Sequence, residues 1–387
     1  MSGAIDLPVL SHGKGSAVFT LDGTRLTDLM NGYGAVFMGH CDDTIAAAMK
    51  AQADRLWSCG RCPTEIFSAA SKAVEALLPG DLELGGFYST GMEAAEFAMR
   101  VAARHTGRRE FVAFSRSMHG KSVATAALSW TNVAVGVNGI QALPYIDVVG
   151  EDEVLAGLSR HLQVHPVAAV FVEPIQGSNS GHAGSAHFHA DVLALCRRHG
   201  ALCVFDEILT GLYRTGPVFV AAELSTLPDI ILFGKSMGNG FPVSAVALQA
   251  NIVVTADCLP GSTFAANPLA CAAVLATVRA MQASDLPSRV RAIESVVRHR
   301  FADLGVSGVT LRGRGALWLL ELAPSSDLDA VARQVLGAGV LIGGTARSVR
   351  LLPGAMIDLA ELDRACALIA KACSPAHAPP EFAAGLS

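Results

Sequence analysis

Residues 201–216 read Ala-Leu-Cys-Val-Phe-Asp-Glu-Ile-Leu-Thr-Gly-Leu-Tyr-Arg-Thr-Gly. Five apolar residues, Ala201–Phe205, run without a polar break and end on two acids, Asp206 and Glu207. A short apolar run of this kind predicts a strand buried on both faces of a parallel sheet. Comparable runs recur at Phe111–Phe114, Val167–Val172, Ile230–Phe233 and Val243–Leu248. Helical patterns lie between them: Glu93–His105, stopped at Gly107, and Asp191–His199, stopped at Gly200. Strand and helix in alternation predict an α/β domain built on a mostly parallel sheet.

The texture changes after about residue 285. Helices are expected over Leu286–Leu304, Leu328–Ala338 and Leu359–Cys373, with strands at Ala316–Leu322, Val340–Ile342 and Val349–Leu351. This pattern predicts a smaller α+β domain. The Pro- and Ala-rich stretch 374–387 is expected to be a flexible tail. There is no internal repeat.

Composition narrows the function classes. The 387 residues are 51% apolar, enough for a large core and incompatible with global disorder. No apolar run approaches the roughly 18 residues that would cross a bilayer, so no membrane role is expected. The net charge of −5, with no cluster of Lys and Arg, argues against a nucleic-acid partner. The N-terminus lacks a basic segment followed by an apolar stretch. Nine cysteines scatter through apolar segments, as reduced thiols in the cytoplasm would. Cys59-Gly-Arg-Cys62 has the spacing of a redox dithiol without the expected βαβ context, and reads as a loop with two thiols. No metal site is read: carboxylates that would complete a set with His182, His187 and His189 are not evident.

Four motifs could carry chemistry. Ser115-Arg-Ser-Met-His-Gly120-Lys121-Ser122 ends like a nucleotide-binding P-loop, but Ser115 stands where that loop needs glycine. Ser89-Thr90-Gly91-Met92-Glu93 lies between a short strand, Gly86–Tyr88, and a helix whose amide end suits a phosphate. Asp206 ends its strand, where ligands bind in open parallel sheets. Lys235 follows the strand Ile230–Phe233 in a Gly-rich turn, where desolvation would free its amine. A phosphate cup, a strand-end carboxylate and a strand-end lysine, in that order, suit pyridoxal phosphate. That cofactor needs an anion site, an acid opposite its ring nitrogen and a lysine for its aldehyde.

Across about Leu26 to Leu368 the chain resembles the class III aminotransferases. The resemblance rests on Asn31–His40, Ser89–Glu96, His119-Gly120 and Glu173-Pro-Ile-Gln-Gly177. It also rests on Asp206–Gly216, Gly261–Ala270 and Val349-Arg-Leu-Leu-Pro353. It implies the aspartate-aminotransferase-like fold type I, with residues 41–284 as the large cofactor-binding domain and 285–373 as the small one. Residues 1–40 would join the small domain. Lys235 would link to the cofactor aldehyde and Asp206 would hold the pyridine nitrogen protonated. Thr90, Gly91 and Met92 would form the phosphate cup, and Met118, His119, Glu173 and Leu209 would contact the cofactor. Thr263 would reach the phosphate of a neighbouring subunit, which implies an obligate homodimer with shared sites. Arg350 would pair with a substrate carboxylate, with Tyr33, Lys121 and Ser178 lining the substrate side. Trp57 and Arg61 are further candidates for the cleft. Glu207 would be structural.

The implied activity is amino transfer from a primary amine or ω-amino acid to a 2-oxo acid by a ping-pong mechanism, Lys235 moving the proton. Departures from the family pattern refine it. Met118 replaces the usual ring-stacking aromatic. Ser178 stands where users of glutamate and 2-oxoglutarate carry a masking Glu, and Leu209 where many carry Gln. Members using alanine and pyruvate often lack both, so pyruvate is the expected acceptor. Lys121 occupies a position where several relatives grip a carboxylate with arginine, and lacks the bidentate fork. Three competing readings are an aminomutase or racemase on the same machinery, a P-loop nucleotide binder using Lys121, and a catalytically dead scaffold. The retained Lys235, Asp206 and Arg350 argue against the last.

Overall fold

A computed structural model describes residues 7–60, 62–129, 137–252, 254, 262–302, 308–345 and 347–373. Arg61, Gly261, Cys258 and the expected tail lie outside the described residues. Seven strands form the central sheet. In spatial order they are Leu82–Tyr88, Ser244–Gln249, Ile230–Phe233, Leu202–Asp206, Val167–Val172, Glu110–Phe114 and Ile140–Leu143. The expected α/β architecture is present.

The strands are apolar on both faces because both faces are covered. On one, Ala113, Ala169, Val204, Leu232 and Val246 pack with Ala94, Ala98 and Val101 of the helix Gly91–Thr106. On the other, Phe114, Val170, Phe205, Phe233 and Ala245 join Leu158, Phe188 and Val192. Those last three come from the helices Glu151–Val164 and Ala186–His199. Each buried Phe or Leu withdrawn from water contributes about 1.5–3 kcal/mol, so the two-sided burial specifies the sheet.

One expectation is corrected. The run read as a parallel strand over Val243–Leu248 lies at Ser244–Gln249 and pairs antiparallel with both neighbours. Only ten residues, 234–243, separate it from Ile230–Phe233. A parallel return needs a crossover of a dozen or more residues, so the chain reverses instead. The helix read as Asp191–His199 begins earlier, at Ala186, because Ser185 accepts from the Phe188 amide and caps it.

Two smaller sheets flank this body. Leu10–Lys14, Ala17–Thr20 and Arg25–Asp28 form a meander that Val340–Leu341 extends in parallel. Thr310–Arg314, Leu317–Glu321, Ser348–Leu351 and Gly343–Gly344 form an antiparallel sheet. The helices Leu286–Phe301 and Leu359–Cys373 pack on each other in the same region. No single described helix is long and apolar enough to cross a membrane.

Arg214 joins these parts. It is fully buried, and its guanidinium donates to the carbonyls of Ala316 (3.2 Å), Pro353 (2.8 Å) and Gly34 (3.0 Å) and to Asn31 Oδ1 (3.3 Å). Burial lowers its pKa to about 9, and the Phe37 ring lies 4.2 Å below it. Asn31, Gly32, Tyr33 and Gly34 all have φ between 54° and 88°, a left-handed turn that costs energy at Asn31 and Tyr33. Arg214 holds that turn from within. Arg214→Leu should therefore lower stability by on the order of 3 kcal/mol, since several buried acceptors lose their donor. Arg214→Lys should recover only part of this, because one ammonium cannot span four acceptors. Urea denaturation midpoints of the three proteins test it; equal midpoints would refute the role.

Candidate active site

The carboxyl ends of the parallel strands open on a cavity of about 130 Å³. A single water needs roughly 10–15 Å³ on this measure, so the space suits one small aromatic molecule. Strand ends and the loops after them supply its walls. Asp206 is the last residue of its strand, Glu173 follows Val172, and Lys235 follows Phe233-Gly234. Met118, His119 and Gly120 come from the loop after Glu110–Phe114, and Arg350 from the strand Ser348–Leu351 of the small antiparallel sheet.

Asp206 and His119 form a buried pair, with His119 Nδ1 2.8 Å from Asp206 Oδ2. The Ile208 amide donates to the other carboxylate oxygen at 3.1 Å. The two contacts hold the Asp206 side chain against the His119 ring at the end of its strand. The other ring nitrogen, His119 Nε2, is buried with no hydrogen-bond partner among the described residues. Glu173 ties two loops together: it accepts from the Met118 amide at 2.6 Å and the Gly177 amide at 3.3 Å. Burial pushes its carboxyl up to about 7.

Lys235 sits in a strained backbone position, φ 39°. Burial, helped by the charge of Arg350, lowers its amine to about 8, although Asp206 and Glu173 pull the other way. Burial also lowers Arg350 from its usual value. The Arg350 guanidinium donates to the Gly177 carbonyl at 3.2 Å, stands 5.4 Å from the Tyr33 ring centroid, and leaves its buried Nε without a partner.

The helix Gly91–Thr106 points its amide end at this cavity through Gly91 and Met92. Thr90 Oγ1 accepts from the Glu93 amide, and the Glu93 carboxylate accepts from the Ser89 and Thr90 amides. That capping box uses the outer amides and leaves those of Gly91 and Met92, which precede any carbonyl the helix can offer them. Gly120 keeps the cradle open: a Cβ there would lie 2.6 Å from Met92 Cβ and 2.2 Å from Thr125 Oγ1.

These features fit pyridoxal phosphate. Free amides at a helix end suit its phosphate, the strand-end acid Asp206 suits a ring nitrogen, and the desolvated Lys235 suits its aldehyde. The P-loop reading fits poorly. Ser122 caps a helix of five residues, Val123–Ala127, and its hydroxyl bonds the carboxylate of Glu96, the wrong charge beside a polyphosphate.

The remaining candidates divide by position. Ser178 and Leu209 line the cavity; a Cβ on Gly177 would lie 2.2 Å from Leu209 Cδ2. Thr90 serves as the helix cap, and Tyr33 stands over Arg350. Lys121 and Thr263 are exposed and do not line this cavity, and Trp57 is exposed on the surface. Glu207 is buried behind the site and accepts from the Val220 and Ala221 amides and the Thr210 hydroxyl. Ile175, Gly177 and Ile208 also form the wall; they lie inside motifs already quoted, but nothing local marks them as facing a ligand. Cys59 and Cys62 are free thiols. His187 pairs with Asp191 at 3.3 Å, whereas His189 is buried and unpartnered at Nε2.

Comparison with known proteins gives a consistent result. The family model for class III aminotransferases matches residues 4–373. The chain is 30% identical over 379 residues to a 2-aminoadipate transaminase of Pseudomonas putida, covering 89% of this chain and 87% of that protein. It is 30% identical over 366 residues to an acetylornithine aminotransferase of Methanosarcina mazei, covering 92% and 89%. The ornithine aminotransferase of Toxoplasma gondii, solved with partial occupancy of pyridoxal phosphate at its active site, superposes with a TM-score of 0.84. The sequences are 28% identical, and the match covers 95% of this chain and 89% of that one.

The lowered amine of Lys235 has a measurable consequence. Only the neutral amine attacks an aldehyde, so covalent attachment of pyridoxal phosphate to the apoenzyme should quicken with pH and level off above about 8. An exposed lysine would instead keep gaining up to about 10.4. Stopped-flow absorbance across that range separates the two; a rate still climbing tenfold per unit above about pH 9 would refute the desolvated amine.

Proposed function

This chain belongs to the class III aminotransferases, pyridoxal-phosphate-dependent enzymes of fold type I, and we propose that it moves an amino group from a primary amine or ω-amino acid to pyruvate. When bound, the cofactor supplies an aldehyde that carries nitrogen between substrates and a ring that accepts electrons from the substrate carbon. The chain's own residues do the rest. Gly91 and Met92 would bind the phosphate through their amides. Asp206, held by His119 and the Ile208 amide, would keep the ring nitrogen protonated. Lys235, neutral above about pH 8, would take a proton from the substrate carbon and return it. Met92, Met118, Ile175, Ile208 and Leu209 give the cavity apolar walls that exclude water.

The acceptor choice rests on one observation. Arg350 and Lys235 are the only lysine or arginine side chains among the described residues that line the cavity, and Lys235 is committed to the cofactor. Arg350 can grip one carboxylate, with its Nε and the fork of a planar guanidinium. A dicarboxylic acceptor such as 2-oxoglutarate would bring a second carboxylate for which this chain's lining offers no cation, a costly desolvation. Lys121 lies outside, and Ser178 puts no competing carboxylate against Arg350. The acetylornithine aminotransferase relative supports a donor with its amine at the end of an extended chain. Each product would leave before the next substrate binds, a ping-pong order.

We further propose that the working unit is a homodimer. Trp57, Phe67 and Phe264 are large aromatic side chains 37–64% exposed. They flank the helix Pro268–Gln282, against which Asp43–Ala53 and Glu65–Glu75 pack. Thr263, beside Phe264, would then reach the partner's cofactor phosphate. The eight described cysteines are free thiols, which supports a reducing compartment such as the cytoplasm.

Single-turnover bleaching of the cofactor's visible band should be at least about tenfold faster with L-alanine than with L-glutamate at equal subsaturating concentration, a difference of about 1.4 kcal/mol in barrier. Faster bleaching with L-glutamate would overturn the pyruvate assignment while leaving transamination intact. Light scattering should report twice the chain mass at micromolar concentration, and Phe264→Asp should shift it toward the monomer with loss of cofactor. An active wild-type monomer would refute the shared site.

A further inference from the structure

We propose that Glu110, His161 and His165 form a binding site for a divalent transition-metal ion, zinc above all, at the edge of the sheet opposite the cavity of Lys235. One ligand atom from each of these residues lies within 4.8 Å of the other two. Glu110 Oε2 stands 3.0 Å from His165 Nδ1. The two imidazole rings are stacked, with centroids 4.1 Å apart and planes within 13°. Two nitrogens and a carboxylate oxygen form a donor set that zinc accepts, with bonds of about 2.0–2.2 Å. Two ligands on one such ion stand about 3 Å apart, close to the separation already present between Glu110 and His165. Calcium and magnesium take oxygen ligands instead.

The backbone preorganises this set. His161 lies in the last turn of the helix Glu151–Val164 and His165 just past its end, four residues apart and thus on one face. The His165 amide donates to the His161 carbonyl at 3.0 Å, and the Val167 amide to the His165 carbonyl at 2.9 Å. Val167 in turn is the cross-strand partner of Glu110. Helix end and strand start are therefore locked in register before any ion arrives. His165 and Glu110 are partly exposed, which leaves an entry path and a fourth position for water.

Location determines the role. Glu110 begins its strand, whereas Asp206 ends its own and the two run in the same direction through the sheet. A five-residue strand separates the two edges by about 13 Å. The ion would clamp the helix end to the strand and take no part in amino transfer.

The test uses chelator-treated, untagged holoenzyme titrated with zinc chloride by calorimetry, with Tm followed in parallel. Wild type should bind one equivalent and gain Tm. His161→Gln/His165→Gln should lose that binding, and Glu110→Gln, a mild change on the strand, should weaken it at least about tenfold. Cys59→Ser/Cys62→Ser should keep it, which separates this site from the thiols. Transamination rates should be equal with and without zinc at one equivalent. No zinc-dependent change in wild type, or zinc binding that survives in the histidine variant, would overturn the proposal.

Discussion

A single buried guanidinium holds the candidate site together. Among the described residues no carboxylate pairs with Arg214; its two terminal nitrogens donate to backbone carbonyls and one amide oxygen drawn from three distant stretches of chain, while its Nε is buried unpaired. Bare carbonyls in the interior cost free energy unless a donor reaches them. A planar group with five donors can serve several at once, which a lysine cannot. The consequence runs outward. Gly34 is pinned, so the left-handed turn Asn31–Gly34 is pinned, and Tyr33 is carried over Arg350. Ala316 and Pro353 are pinned as well, which brings the strand that bears Arg350 against the carboxyl ends of the large sheet.

Burial then sets the electrostatics of the cavity. Lys235 is lowered and Glu173 raised for the same reason: water has been removed from around a group that charges. Arg350 and Lys235 add mutual repulsion, and Asp206 offsets part of it for Lys235. Asp206 is the acid that receives two donors, and it is the one placed to meet a ring nitrogen. Glu173, tied by both oxygens to backbone amides, shapes the loops of Met118 and Gly177 and acts as a positioning residue. The small cavity therefore holds two acids with different duties and two cations with different duties, separated by hydrogen bonding more than by distance.

Some of this was legible in the sequence for a local reason. An apolar run that ends on Asp206, or on Gly234-Lys235, marks a strand end by itself, because both faces of such a strand must be buried. Thr90 with Glu93 likewise announces a helix start through a capping box spanning four residues. Other features had no local mark. Ile208 and Gly177 line the cavity, but their neighbours in sequence give no sign of it. The reversal of Ser244–Gln249 was readable only from the length of the connection, which outweighs its parallel-like composition. His161 and His165 carried a helical spacing that could have been noticed, yet Glu110 meets them from 51 residues before His161, across a strand pairing.

The sequence by itself determined the fold class, the family and the residue types available for chemistry. Periodicity, caps and strand-end residues are local consequences of burial and backbone hydrogen bonding, and they survive without knowledge of what packs on what. The tertiary structure alone decided which of those residues share a cavity. It brought Arg350 in from the small sheet and left Lys121 at the surface, so that Arg350 is the one arginine lining the cavity among the described residues. It also set Glu110 beside two histidines. Those adjacencies follow from how covered sheet faces and short connections pack the chain, and no single segment encodes them.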